Sequence, residues 1–280
     1  MRSDSPVTVL GAGGWIGSAL VAELKGQGRP VRAVDRAGLP AWLAERDPES
    51  QGRPGPVIYS IGLTADFRQH PHASAEAHVG LLSQVLQRPG VEQLLLLSST
   101  RVYARSADTR ETAALPCLSS NPSDLYNLSK LLGEALVLQD PRPGLKVVRL
   151  SNVVGPGQTA STFLGALLVE ARAGGVVTIQ QPADTAKNYV ALADVTRLLP
   201  LIAERGQQRL YNLGSSHNTS HAEVAAWLKR QGVTVRFASG EAASTGLSFP
   251  QLVIERLASE FEPPNDPFQQ SPYNPSNSFL

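Results

Sequence analysis

The stretch VTVLGAGGWIG, Val7 to Gly17, constrains this chain more than any other. A short β-rich run, Val7 to Leu10, leads into glycines at 11, 14 and 17, and Ser18 to Lys25 then has apolar residues at helical spacing. Glycines in such a turn let the backbone reverse tightly and approach a pyrophosphate, which the following helix N-terminus attracts. Gly11, Gly14, Trp15, Ile16 and Gly17 are therefore candidate dinucleotide contacts. A glycine turn alone is a weak signal, so the rest of the chain must supply its context.

Predicted strands at Val31 to Val34, Val57 to Ile61, Leu94 to Leu97 and Lys146 to Leu150 alternate with predicted helices at Ala73 to Gln87 and Leu125 to Leu138. That alternation specifies an α/β fold, a doubly wound parallel Rossmann sheet. The unbroken apolar run Leu94 to Leu97 is the pattern of a strand covered on both faces. Only 21 residues, four of them proline, separate Asp35 from Val57. They are too few for a strand and a helix of ordinary length, so the third strand is expected to be missing or vestigial.

The second half mixes its elements. Helices are predicted at Phe163 to Arg172 and His221 to Arg230, strands at Val176 to Ile179 and Val233 to Phe237, and a strand and helix within NYVALADVTRLLPLIAERG. The expected organisation is a dinucleotide-binding domain over 1–157, with 184–215 returning to it, and a small C-terminal substrate lobe from 158–183 and 216–262. From Pro263 the chain is rich in Pro, Asn, Ser and Gln, and 263–280 is expected to be a loosely ordered tail.

A formal net charge of +1, with lysines and arginines scattered, gives no field that would recruit nucleic acid or an acidic membrane. Cys117 is the single cysteine, which excludes an internal disulfide and a cysteine-based metal cluster. The histidines show no metal-ligand spacing, so no metal is expected. No apolar run approaches membrane length and MRSDSPVTVL lacks a signal-peptide core, so a soluble cytoplasmic protein is expected.

Three further features carry chemistry. Asp35 ends the second strand, where an acid can bind the adenosine ribose hydroxyls and repel a 2′-phosphate; Arg36 beside it could instead pair with that phosphate. NAD is thus favoured over NADP. The buried strand LLLLSST delivers Ser98, Ser99 and Thr100 to its C-terminal end, where ligands bind in open α/β sheets. In DLYNLSK, Tyr126 and Lys130 stand one helical turn apart, and a neighbouring cation is expected to lower the phenol's pKa and fit it for proton transfer.

These features in this order resemble the extended short-chain dehydrogenase/reductases and, more narrowly, the NAD-dependent epimerase/dehydratase family acting on nucleotide sugars. The resemblance runs from about Val7 to Phe261 through SSTRVYA, YNLSKLLGE, RLSNVVGPG, KNYVALADV and LYNLGSSHNTS. It implies Ser99, Tyr126 and Lys130 as the catalytic set, with Lys130 also on the nicotinamide ribose. It implies substrate contacts at Asn152 and at Lys187, where relatives usually carry arginine. Thr100 and Arg68 complete the candidate substrate set, Arg68 as a partner for an anionic group. His78 stands where relatives often have asparagine and reads as a core or cofactor-adjacent residue.

One departure bears on the reaction. The family's 4,6-dehydratases follow the Ser/Thr with an Asp-Glu pair that performs elimination, and here Thr100 and Arg101 stand there. The expected activity is therefore an NAD-dependent nucleotide-sugar epimerase working through a transient keto intermediate. A reductase or dehydrogenase with net redox turnover is the alternative, and a non-catalytic dinucleotide-binding sensor a second. The leucines of 125–138 crowd more than one helix face, which suggests a homodimer.

Overall fold

The computed structural model describes residues 5–45, 55–62, 67–238 and 249–268. Six parallel strands form the central sheet: β1 (Val7–Leu10), β2 (Val31–Val34), β3 (Val57–Tyr59), β4 (Leu94–Ser99), β5 (Leu145–Leu150) and β9 (Leu210–Leu213), in the order β2-β1-β3-β4-β5-β9. The order reverses between β1 and β3, and in such sheets ligands settle at that reversal, outside the carboxyl ends of the strands.

Side-chain alternation explains the unbroken leucine run in β4. Leu95 and Leu97 join Val7, Val9, Ile58 and Val148 in one core cluster; Leu94 and Leu96 join Leu10, Tyr59 and Val147 in the other. Both faces are covered, so all four positions from Leu94 to Leu97 are apolar. The first cluster packs against α1 (Trp15–Gly26), α7 (Leu192–Arg205) and α9 (Glu255–Glu260). The second packs against α2 (Leu39–Ala44), α4 (Leu81–Gln87) and α5 (Asp124–Gln139).

Beyond β2 the chain enters the short helix α2 and re-emerges in β3 directly beside β1. Among the described residues no strand pairs with the outer edge of β2; the expectation of a missing or vestigial third strand falls largely on 46–54, which lie outside the described residues. The predicted helix 73–87 is three pieces: α3 (Pro71–Ala75), a π turn at Glu76–Gly80, and α4. A π turn adds a residue without ending the helix and is common at functional sites. Tyr59 pins it to β3 by donating its hydroxyl to the Ala77 carbonyl at 2.5 Å.

Two small sheets lie apart from the large one. β8 (Ala186–Ala191) sits between β6 (Asn152–Val154) and β10 (Asn218–Ser220), and β7 (Val177–Ile179) pairs with β11 (Val235–Phe237). Helices α6 (Phe163–Arg172) and α8 (His221–Arg230) pack on them. A capping box of Ser220 and Glu223 starts α8. The strands β6 and β10, three residues each, escape the sequence reading because neither is long enough to show alternation.

The first part of the expected tail packs on the lobe as far as Phe268. That ring is 5% exposed, edge-on to Tyr189 at 5.1 Å and Trp227 at 5.5 Å, while Asp266 accepts from the Thr219 hydroxyl. Polar composition concealed one aromatic anchor, and one buried ring is enough to order a short segment. Residues 269–280 lie outside the described residues. No described helix is long and apolar enough to cross a membrane. Replacing Phe268 with Ala should remove about 3 kcal/mol of stability, the usual loss for a buried phenylalanine; a denaturant midpoint matching the parent's would show that this ring holds nothing.

Candidate active site

A cleft of about 510 Å³ opens at the C-terminal ends of the central strands, lined at one end by Gly14 to Gly17 and at the other by Asn152, Lys187 and Phe163. Ser99, Thr100, Arg101, Tyr126 and Lys130 lie between. Among the described residues no Asp or Glu lines it.

The glycine end fits a dinucleotide for steric reasons. Gly11 has φ +87°, a conformation other residues rarely adopt. A Cβ on Gly17 would stand 2.2 Å from the Gly11 carbonyl oxygen. The N-terminus of α1 follows with no side-chain cap and no acid in its first turn, which leaves its N–H groups and positive dipole end for phosphate. Trp15 donates its indole N–H to the Pro156 carbonyl at 2.9 Å and so ties this turn to the loop after β6. Asp35 stands exposed at the end of β2, facing the turn across Gly13, and accepts from the Gly38 N–H at 2.9 Å. Arg36 instead lines a shallow groove with Leu39 and Leu81. Neither Asp35 nor Arg36 is among the residues lining the cleft.

The middle of the cleft brings the expected trio together. Ser99 ends β4, and Tyr126 and Lys130 lie on the face of α5 that meets the sheet. Lys130 is buried, and its Nζ donates to the Leu97 carbonyl at 2.9 Å. Burial lowers its pKa to about 8, against the pull of Glu134. The phenol departs from expectation. Burial drives its pKa up, and a hydrogen bond with Ser99 and the Arg101 charge lower it only in part. Lys130 is not among the groups that shift it. Its Nζ lies 5.8 Å from the Tyr126 ring centre and donates to a carbonyl, and desolvation of the phenol is the larger effect.

A buried polar network holds this geometry. Glu134, two turns beyond Tyr126, pairs with Arg149 of β5 at 2.6 Å and accepts from Ser98 at 2.5 Å. Arg149 also donates to the Tyr103 hydroxyl at 2.7 Å, which donates to Asn212 of β9 at 2.9 Å. The sequence held a trace of this: Tyr126, Lys130 and Glu134 recur at four-residue intervals and share a stripe of one helix.

His78, midway through the π turn, meets Ser129 with Nδ1 at 2.8 Å and lies edge-on to Tyr126 at 5.4 Å. Its Nε2 is buried with no partner. Burial and the nearby Lys130 lower its pKa to about 3. Helix α5 comes this close because Gly133 has no Cβ, which would stand 2.8 Å from the His78 carbonyl oxygen.

The substrate candidates are placed unequally. Thr100, Asn152 and Lys187 line the cleft; Arg68 does not. Asn152 donates to the Asn188 carbonyl at 2.8 Å, and the Lys187 ammonium lies 4.7 Å over the Phe163 ring. Arg68 is exposed, donates to Ser123 at 2.9 Å and stacks on Phe67. Arg101, read in the sequence only as a missing acid, is inside the cleft. Among the described residues no group of His, Cys, Asp and Glu could hold a metal ion.

A family model described as the NAD dependent epimerase/dehydratase family matches residues 7–214, and the chain belongs to that family. A dTDP-glucose 4,6-dehydratase from Streptomyces griseus is 27% identical over 253 residues, covering 79% of this chain and 76% of the relative. A dTDP-4-dehydro-6-deoxy-D-allose reductase from Streptomyces sp is 26% identical over 257 residues, covering 78% of each. Among solved structures, a UDP-glucose 4-epimerase from Thermotoga maritima, with UDP-glucose, superposes with TM-score 0.71 at 19% identity, covering 92% of this chain and 93% of that one. NAD is the family's cofactor, and the glycine turn and α1 fit it sterically and electrostatically.

His78 gives the site an acid-sensitive element. Unfolded, this imidazole takes a proton near its ordinary value of 6.5; folded, it resists until about 3. The unfolded chain therefore binds more protons through that window, and stability falls as pH falls. His78→Asn should lose stability less steeply than the parent between those limits in thermal melts; parallel curves would remove His78 from the account.

Proposed function

We propose that this protein epimerises a nucleotide sugar by oxidising one sugar hydroxyl to a ketone and reducing it from the other face. The observation that carries this reading is the grouping of Ser99, Tyr126 and Lys130 at the end of β4, with Thr100 and Arg101 in place of the acid pair that elimination needs. Dehydration requires one group to take a proton and another to give one to the departing hydroxyl. A guanidinium performs neither task at neutral pH.

When bound, NAD supplies the acceptor and donor of hydride for oxidation and its reversal. Tyr126 takes the hydroxyl proton as the ketone forms and returns it afterwards. Ser99 donates a hydrogen bond to the same oxygen and holds it against the phenol. Lys130 holds the nicotinamide ribose through its hydroxyls. A charged Lys130, with Ser99 and Arg101, would oppose the upward shift that burial gives the phenol. Asn152, Lys187 and Thr100 hold the nucleotide sugar, and Asp35 favours NAD over NADP.

Tyr126→Phe keeps the ring and removes the proton carrier. Its turnover should fall about 100-fold or more, the scale for losing a general acid/base, while NAD still binds by calorimetry. With the parent, NMR should show a new stereoisomer without lasting NADH absorbance. Stoichiometric NADH beside an oxidised sugar would instead favour a dehydrogenase. The similarity to a reductase supports that second reading.

We also propose a homodimer through α5, where Leu128 is 37% and Leu132 52% exposed, one turn apart on one face. Light scattering at micromolar concentration should give twice the chain mass; a monomer mass would refute the pairing.

A further inference from the structure

Arg101 is the least explained residue of the cleft. It sits in the 3₁₀ turn Thr100–Tyr103 that leaves β4, and its backbone N–H donates to the Ser99 hydroxyl at 3.2 Å. Its guanidinium lies 6.0 Å from the centre of the Tyr126 ring and 5.4 Å from that of Phe67. Its Nε is buried without a partner. Burial and the charge of Arg68 both disfavour its cationic form, and the weak opposing pull comes from Tyr126 and Asp124. Asp124 attracts it only through space: that carboxylate accepts from Arg105 at 2.7 Å and from the Leu118 N–H at 2.9 Å, both on Oδ2, and makes no hydrogen bond with Arg101.

Lys187 repeats the pattern. It is partly buried over Phe163, and Arg101 disfavours its charge further. Among the described residues the cleft thus presents Arg101, Lys130 and Lys187 with no lining carboxylate. Half-desolvated like charges without counter-ions are costly, and a bound anion relieves them. The family position of Lys187 assigns it to the diphosphate of a nucleotide sugar. Arg101 has a different place: it follows the hydroxyl that polarises the reacting oxygen and lies across the phenol ring. The anion it meets is therefore carried by the sugar being transformed.

We propose that Arg101 is a specificity-determining residue that binds a carboxylate on the reacting sugar, so that the substrate is a nucleoside-diphosphate hexuronate rather than a neutral hexose. This rests on the nucleotide-sugar reading above and narrows it. A carboxylate on the ring carbon next to the oxidised one lies beside the reacting oxygen, within the span between Tyr126 and Arg101. The planar guanidinium suits it with paired N–H donors, which an ammonium could not offer.

The test uses the full-length protein loaded with NAD, calorimetry, and matched ligands: UDP, UDP-glucose, UDP-glucuronate and the corresponding thymidine compounds. The parent should bind the hexuronate on the order of 100-fold more tightly than the hexose, as expected for a partly buried charge pair. Arg101→Gln should collapse that ratio to within a few-fold, and Arg101→Lys should restore part of it. Equal affinity of the parent for hexose and hexuronate overturns the proposal, and that result needs no variant to fold. An Arg101→Gln variant that weakens UDP, hexose and hexuronate alike also overturns it, by placing Arg101 on the diphosphate. If NAD binds but no nucleotide or nucleotide sugar does, the nucleotide-sugar reading fails and takes this proposal with it; loss of the hexuronate preference alone leaves that reading standing.

Discussion

The buried pair of Glu134 and Arg149 sets the geometry on which the site depends. It joins α5, which carries Tyr126 and Lys130, to β5, and through Ser98 to the end of β4. Through Tyr103 it reaches the turn that carries Arg101, and through Asn212 it reaches β9 and the Thr109 and Val253 carbonyls. Both charged side chains are at most 4% exposed. Such a pair adds little net stability over a well-packed apolar one, but removing one partner strands the other charge at a cost of about 3–5 kcal/mol. Its value here is geometric, because each bond has one direction and one length. It fixes the axial position of α5 against the sheet, which apolar contacts alone would leave free to slide.

Desolvation is the second theme of the cleft. It raises the Tyr126 phenol, lowers Lys130 to about 8 and lowers His78 to about 3. Each shift favours the neutral form, as expected where water is excluded and the nearby opposite charges, Glu134 for Lys130 and Arg101 for Tyr126, compensate only in part. The cleft is thus an environment that disfavours its own charges. A positive nicotinamide beside the phenol and anionic groups beside Arg101 and Lys187 would reverse these penalties. Substrate and cofactor then contribute to the protonation states that the chemistry needs, and the chain does not hold those states alone.

Much of the fold was legible because parallel α/β architecture writes strong local patterns. The leucine run of β4, the glycine turn after β1 and the helical periodicity of α5 each encode burial or backbone geometry within a few residues. The lobe was less legible. β6 and β10 are three residues long, and the order of the chain to Phe268 rests on one aromatic ring within a polar segment. The π turn left no mark in the periodicity of 71–87, since adding one residue rotates the pattern without breaking it.

The sequence by itself determined the class of the sheet and the glycine turn for a dinucleotide, because these depend on residue type and short-range spacing, and by family resemblance it named Ser99, Tyr126 and Lys130 as candidates. Only the tertiary structure decided what those groups experience. The spacing of Tyr126 and Lys130 implied a phenol lowered by its neighbour, yet the ammonium is turned to the Leu97 carbonyl and burial dominates. Arg101 read as a missing acid, and the fold placed its guanidinium, with Nε buried and without a hydrogen-bond partner, beside the Tyr126 ring. Arg68 read as an anion partner, and the fold left it exposed on Ser123. Electrostatic environment is a sum over neighbours brought from distant parts of the chain. No local pattern carries that sum, because it exists only once the sheet, α5 and the 3₁₀ turn are packed together.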